Sequence, residues 1–257
     1  MWFHCASLGE FEQGRPVIET LSARTPDYKI VLTFFSPSGY EVQKDYALAD
    51  VIVYLPLDTK KNAKKFLEVV HPALAVFVKY EFWPNILNEL KNQEIPTYLI
   101  SGIFREDQIF FKGYGGWMRK VLLGFSHFFV QNSHSLSLLK TLGIQEATLS
   151  GDTRFDRVYS LLEKDNTLPV HKDFTSGRTT IVAGSTWPKD EELLTDFIND
   201  CKLDEVVFII APHQMDPARF QKLKGSISKK SLLYSEGVPN KDIRVFIVDT
   251  IGLLTKI

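Results

Sequence analysis

The chain has 257 residues, 44% of them hydrophobic, enough for a sizeable core and for two domains. Thirty Lys and Arg against 31 Asp and Glu leave a formal net charge of −1, without the basic excess of a nucleic-acid-binding protein. No run approaches the roughly 20 apolar residues of a membrane-spanning helix. Cys5 and Cys201 lie far apart beside apolar runs, and read as reduced, buried thiols.

Trp2-Phe3-His4 is predicted to be a short strand. A helical pattern follows from Gly9 to Arg24, with Phe11, Val17, Ile18 and Leu21 on its apolar side. Buried strands are predicted over Tyr28 to Phe35, Ala49 to Tyr54, Ala73 to Val78, Thr97 to Ser101 and His127 to Gln131. Helical patterns lie between them, over Lys61 to Val70, Trp83 to Leu90 and Ser133 to Leu142. The last opens on Asn132-Ser133, favourable N-cap chemistry. A second series follows: strand Thr179 to Ala183, helix Pro188 to Cys201, strand Val206 to Ala211, helix Asp216 to Lys224, then strands Leu232 to Tyr234 and Val245 to Val248. Strands apolar throughout and separated by helices imply parallel sheets covered on both faces. The fold class is α/β with two Rossmann-like domains, residues 1–162 and 179–257, joined by a polar linker over 163–178. The second domain reads as incomplete, because the chain stops just after a buried strand.

Ligands of such sheets bind beyond the carboxyl ends of the strands, so the strand-to-helix junctions are the candidate sites. In His4-Cys5-Ala6-Ser7-Leu8-Gly9-Glu10, Gly9 permits a tight turn. Glu10 is either a first-turn carboxylate favoured by the helix dipole or a general base at a cleft. Ser36-Pro37-Ser38-Gly39 offers amides for an anion, or an ordinary cap with Pro37 at the first helical position. Lys79-Tyr80-Glu81 is an unusually charged exit from a strand. Gly184-Ser185-Thr186 supplies amides and hydroxyls suited to a phosphate, and Pro212-His213-Gln214 follows another strand, with Arg219 beyond it.

Taken together, six segments resemble the Kdo transferases, which handle 3-deoxy-D-manno-octulosonic acid. They are ASLGEFEQGRPVI at Ala6 to Ile18, FSPSGYE at Phe35 to Glu41, YEFWPN at Tyr80 to Asn85, GDTRFD at Gly151 to Asp156, AGSTWPKDEE at Ala183 to Glu192 and DTIGLL at Asp249 to Leu254. Where many members read Glu-x-Glu before Trp-Pro, Lys79-Tyr80-Glu81 stands here. The donor-domain Pro-Arg-His stands as Pro212-His213-Gln214.

The resemblance implies a GT-B glycosyltransferase that moves Kdo from CMP-Kdo to lipid A precursor (lipid IVA) with inversion, without metal or cofactor. Glu10 would be the general base, and Glu81 would orient the acceptor or tune that base. Acceptor contacts would come from Ser7, Gly9, Arg15, Ser36, Ser38, Gly39, Lys79 and Arg105. Donor contacts would come from Gly184, Ser185, Thr186, Pro212, His213, Arg219, Asp249 and Thr250. The resemblance also implies work at the cytoplasmic face of the bacterial inner membrane, an N-terminal anchor and the end of the donor domain outside this chain, and no nucleic-acid partner. Phe110-Phe111 and Trp117 to Leu123 form a basic-flanked apolar segment that either packs in the core or touches the membrane surface. Two alternatives share the architecture: another GT-B nucleotide-sugar transferase or epimerase, and a non-catalytic two-lobed sugar-binding module.

Overall fold

Apolar runs without alternation become strands only where both faces of a sheet are covered, and the computed structural model, which describes residues 1–162, 172–250 and Leu253, has two such sheets. The chain divides into two compact units, Met1–Ser160 and Leu161–Ile257.

The first series of elements runs β1 (Trp2–His4), α1 (Leu8–Arg24), β2 (Val31–Phe34), α2 (Pro37–Gln43), β3 (Val51–Tyr54), α3 (Lys60–Val70), β4 (Ala75–Val78), α4 (Pro84–Asn92) and β5 (Thr97–Gly102). A 3-10 turn at Ile109–Phe111 precedes α5 (Gly116–Leu122), β6 (His127–Val130), α6 (Ser133–Thr141), β7 (Ala147–Leu149) and α7 (Arg154–Leu162). The seven strands pair in parallel in the order β3-β2-β1-β4-β5-β6-β7. The chain therefore steps outward from β1 to β3, then returns to the other side of β1 as β4. Successive residues of a strand point to opposite faces. Trp2, Ala75 and Phe77 accordingly join Leu67, Ile86, Leu90 and Phe128 on one face. Phe3, Val76 and Val78 join Phe11, Ile18, Leu32 and Phe34 on the other. Helix starts follow their caps: Asn132 accepts from the Ser135 amide at 2.8 Å, and Thr59 from Asn62 at 3.2 Å.

The second unit contains α8 (Lys172–Thr175), β8 (Thr179–Thr186), α9 (Pro188–Asp200), β9 (Val206–Pro212), α10 (Pro217–Ser226), β10 (Ser231–Leu233), a 3-10 turn at Tyr234–Glu236 and β11 (Val245–Ile247). Its parallel sheet has the order β10-β11-β9-β8. Alternation again splits the core, with Val206, Phe208 and Ile210 on one face and Val207, Ile209 and Ala211 on the other.

Two local readings change, and one left open between core and surface is decided mainly for the core. The stretch read as a linker is part of the second unit from residue 172 onward, because Phe174 is fully buried against Phe246 and Arg178 donates to the carbonyls of Ile243 and Lys241. Residues 163–171, like Ile251, Gly252 and Leu254 of the last motif, lie outside the described residues. Strand β8 continues through Gly184-Ser185-Thr186, which the sequence placed in a loop. The apolar segment near residue 110 is mainly core: Phe110, Met118, Val121 and Leu122 are buried, while Trp117 and Leu123 are exposed.

Gly39 shows how closely the elements approach near the strand ends. A Cβ there would lie 2.2 Å from the fully buried Phe34 ring and 3.0 Å from the Ser7 carbonyl carbon. Neither neighbour has room to withdraw. Gly39→Ala is expected to destabilise the protein by about 1–3 kcal/mol in thermal or denaturant unfolding. Gly113→Ala, where a Cβ meets nothing within 4 Å, is the control, and equal melting of the two variants would contradict the packing described.

Candidate active site

The strand order switches between β1 and β4, and ligands of such sheets bind beyond the carboxyl ends of the strands at that switch. His4 of β1 is in register with Phe77 of β4, so the loops leaving the two strands start side by side. The first carries Ser7, the N-cap of α1, in extended conformation. Glu10 folds back as the other half of a capping box: its Oε2 accepts from the Ser7 amide at 2.9 Å and from the Ser7 hydroxyl. Its Oε1 has no hydrogen bond among the described residues. Gly9 is an ordinary residue of the first helical turn, and a Cβ there would meet only the Ser7 hydroxyl at 3.7 Å. The tight turn expected of it is absent.

The second loop carries Glu81, whose side chain is 14% exposed. Its Oε2 accepts from the Trp83 indole at 2.7 Å and faces His4 Nε2 at 3.2 Å. Both carboxylates act on Cys5. Burial pushes that thiol well above its usual range, and the charges of Glu10 and then Glu81 push it further.

Cations gather around Tyr80, the residue before Glu81. Lys79 leaves β4 with φ 71°, held by its amide N–H, which donates to the Ile100 carbonyl at 2.9 Å. Its ammonium lies 4.9 Å from the Tyr80 ring centroid, and the Arg105 guanidinium lies 5.3 Å from the same centroid. Arg154, to which the sequence reading gave no role, is close enough to feel the Tyr80 hydroxyl; its bidentate hold on Asp152, at 2.8 and 2.5 Å, is the main reason its pKa rises. Burial opposes ionisation of Asp152, but hydrogen bonds from Arg154 and Gln13 outweigh it and keep the carboxyl below its usual range. The same loop is lashed to α1 and β5: Gln13 donates to Asp152 at 2.9 Å, Thr153 donates to the Gln13 carbonyl at 2.6 Å, and the Ser101 and Thr153 hydroxyls are 2.7 Å apart. The available signal for Arg154 was a cation just after a Gly-Asp strand exit.

Other expected contacts are already committed. Arg15 pairs with Glu19 at 2.7 Å and lies over Tyr46, so its charge serves α1 and its packing. Ser36 caps α2 by accepting from the Ser38 amide, and the two hydroxyls bond at 2.9 Å. The Phe35 and Ser36 amides donate to the Ala6 carbonyl, and the Gly39 amide to the Ser36 carbonyl. The cap reading of this segment therefore describes it, and its amides are not free for an anion.

In the second unit, β8 pairs with β9 as far as Gly184 opposite Ala211 and Thr186 opposite Pro212, with a register shift at Ser185, whose φ is 56°. Thr186 donates to Glu191 at 3.0 Å in the interior, and Arg219 grips the same carboxylate at 2.6 and 3.0 Å while bonding Gln214 at 2.9 Å. Thr186 and Arg219 thus brace α9 and α10 against the strand end. What remains open at this edge is Ser185 and the stacked pair of Trp187 and His213, with ring centroids 4.6 Å apart. Asp249, just past β11, accepts from the Ser235 amide at 2.9 Å and from its hydroxyl, with Thr250 next to it. A groove of about 730 Å³ between α9 and α10 is lined by Glu191, Glu192, Asp196, Asp216, Arg219 and Lys222 among others, an acidic wall poorly suited to phosphate. Among the described residues, no three His, Cys, Asp or Glu are grouped to hold a metal ion, and no helix is long and apolar enough to cross a membrane.

A UDP-GlcNAc 2-epimerase from Neisseria meningitidis superposes with a TM-score of 0.66 at 14% identity, covering 99% of this chain and 73% of that one. MurG from Acinetobacter baumannii gives 0.51 at 8% identity, covering 97% and 66%. These likenesses show the fold, α/β of the GT-B class. A 3-deoxy-D-manno-octulosonic acid transferase from Rickettsia felis is 27% identical over 269 residues, 98% of this chain and 55% of that protein. The chain spans about half the length of the first curated relatives it matches. The profile of the family described as 3-Deoxy-D-manno-octulosonic-acid transferase (kdotransferase) matches residues 1–157, and with it the loops that carry Glu10, Glu81 and Arg154. The chain belongs to the Kdo transferase family.

Proposed function

We propose that this protein transfers Kdo from CMP-Kdo to a hydroxyl of lipid A precursor (lipid IVA), with inversion and without a metal. Family membership supports Kdo glycosyl transfer in general. The observation that carries the reading further is the pair of carboxylates, Glu10 and Glu81, on adjoining loops at the β1–β4 switch point.

A sugar hydroxyl is a weak nucleophile until a base takes its proton. Glu10 is anchored through Oε2 at the helix start, leaving Oε1 to accept that proton. The oxygen attacks the anomeric carbon, the bond to phosphate breaks, and CMP departs with the electron pair; a single displacement inverts the centre. Glu81 orients the acceptor. Lys79, Arg105 and Arg154, gathered around Tyr80, meet its phosphates, while Ser7, Ser36 and Ser38 line the neighbouring loops. On the donor side, Gly184, Ser185 and Pro212 form the strand edge, His213 with Trp187 offers a stacking face, and Asp249 and Thr250 follow β11. Thr186 and Arg219 act there as braces. Exposed Trp117 and Leu123, with Lys120 between them in sequence, form the face turned to the membrane surface at the cytoplasmic side of the inner membrane.

The epimerase likeness is one of fold alone. A pure binding module is separated from an enzyme by Glu10→Gln. A capping box accepts Gln as well as Glu, so this variant keeps the helix start and removes the base. Full-length Glu10→Gln should melt like the wild type and lose at least about 100-fold in Kdo transfer from CMP-Kdo to tetraacylated lipid A precursor, followed by mass spectrometry. Undiminished transfer would remove Glu10 as base, and no transfer by folded wild type would remove the Kdo reading.

Lys79→Ala and Arg154→Ala should each raise KM for the bisphosphorylated acceptor by about tenfold, as loss of a charge-assisted contact implies, with KM for CMP-Kdo unchanged. The same variants assayed on a dephosphorylated acceptor should show little difference from wild type; equal losses on both acceptors would contradict phosphate binding.

A further inference from the structure

Behind Glu81 lies a buried polar chain that the transfer mechanism does not use. His4 is fully buried on the central strand. Its Nε2 faces Glu81 Oε2 at 3.2 Å, and its Nδ1 lies 2.9 Å from the Thr33 hydroxyl of β2. Thr33 also meets the Trp2 indole nitrogen at 2.9 Å and the Phe3 carbonyl at 3.3 Å. Phe77 and Trp83 close the remaining sides of the imidazole edge-on, each with its ring centroid 5.7 Å away. Glu81 is the one charged group the ring touches among the described residues.

Donor and acceptor rules limit how protons are arranged in this chain. An indole nitrogen only donates, so Thr33 must accept from Trp2. An ionised carboxylate only accepts, so His4 Nε2 must carry a proton; a bare Nε2 would set two acceptors against each other at 3.2 Å. A neutral ring protonated on Nε2 has a bare Nδ1, and the Thr33 hydroxyl hydrogen satisfies it. The doubly protonated ring would bury a cation and leave the Thr33 hydrogen only the longer contact to Phe3. Every polar atom is satisfied, and directed one way, from Trp2 to Thr33 to His4 to Glu81.

We propose that His4, backed by Thr33, is a positioning residue for Glu81: a neutral imidazole fixed with its proton on Nε2, which together with the Trp83 indole holds Glu81 Oε2 and leaves Oε1 free for the acceptor. Only the kinetic consequence rests on the transferase reading. Without the His4 donor, Glu81 keeps a single tether and swings about Trp83, so the acceptor is bound but misaligned. That predicts a loss in kcat, with the donor KM untouched.

Nitrogen-15 NMR of carbon-13- and nitrogen-15-labelled wild-type protein at neutral pH reads the tautomer directly, with the His4 ring signals assigned by through-bond correlation to the assigned His4 backbone. The expected pattern is a protonated Nε2 in slow exchange with water, a bare Nδ1, and a shift of that Nε2–H resonance in Glu81→Gln. A proton on Nδ1, or His4 signals unmoved by Glu81→Gln, would overturn the proposal, and neither depends on a variant of His4 that folds. In Kdo transfer by the full-length protein, His4→Phe keeps the ring packing without the donor and should lose about 10- to 100-fold in kcat. His4→Gln restores a donor towards Glu81 and should recover most of that loss, whereas equal losses in the two variants would overturn the positioning role. Correct His4 signals in a protein that transfers no Kdo would reject the transferase reading and leave the coupling of His4 to Glu81 standing.

Discussion

The parallel pairing of β1 with β4 is the constraint on which the candidate site depends. β1 is only three residues long, yet Trp2, Phe3 and His4 are all fully buried. Trp2 and Phe3 fill the two opposite cores, so the strand cannot slip by one residue without exchanging its faces. With that register held, the exits of β1 and β4 are adjacent, and the residues that follow them, Glu10 on one side and Glu81 on the other, are brought together across 71 positions of sequence. Gly39 belongs to the same constraint. Only a residue without a side chain lets α2 sit against Phe34 and the Ser7 loop.

Backbone strain collects at the strand ends that carry the candidate site. Lys79, Ser101 and Ser185, three of the five non-glycine residues with positive φ among the described residues, stand at the carboxyl ends of β4, β5 and β8. Each such conformation costs about 1–3 kcal/mol and persists only where its surroundings enforce it. Those surroundings are visible. The Lys79 amide is tied to Ile100, the Ser101 hydroxyl to Thr153, and Ser185 is clamped between Gly184 and Thr186, both of which pair with β9. Lys79 and Glu81 put a cation and a carboxylate on one short loop, the first over Tyr80 and the second against His4 and Trp83.

The strands were legible because parallel sheets buried on both faces demand unbroken apolar runs, as in the stretch from Val206 to Ala211. Glu10 was legible as a first-turn carboxylate favoured by the helix dipole at a strand exit, while its capping box with Ser7 appears only in the structure. β7 was not, since Ala147-Thr148-Leu149 is a short, largely exposed edge strand with no apolar run to mark it. The roles of Thr186 and Arg219 were not legible either. Both depend on Glu191, which stands 28 residues before Arg219 and is buried only once α9 and α10 pack on the sheet. His4 looked like a strand terminus, because its partners Thr33 and Glu81 are brought to it by the strand order and by nothing local.

The central claim of the proposed function is that the acceptor hydroxyl meets Glu10 Oε1 beyond the exits of β1 and β4. The most direct measurement is a crystal structure of the full-length protein with lipid A precursor and an unreactive CMP-Kdo analogue. The account predicts an acceptor hydroxyl within about 3 Å of Glu10 Oε1, with the acceptor's phosphate among Lys79, Arg105 and Arg154. An acceptor bound away from the β1 and β4 exits, with Glu10 still closed in its capping box and touching no sugar, would contradict it.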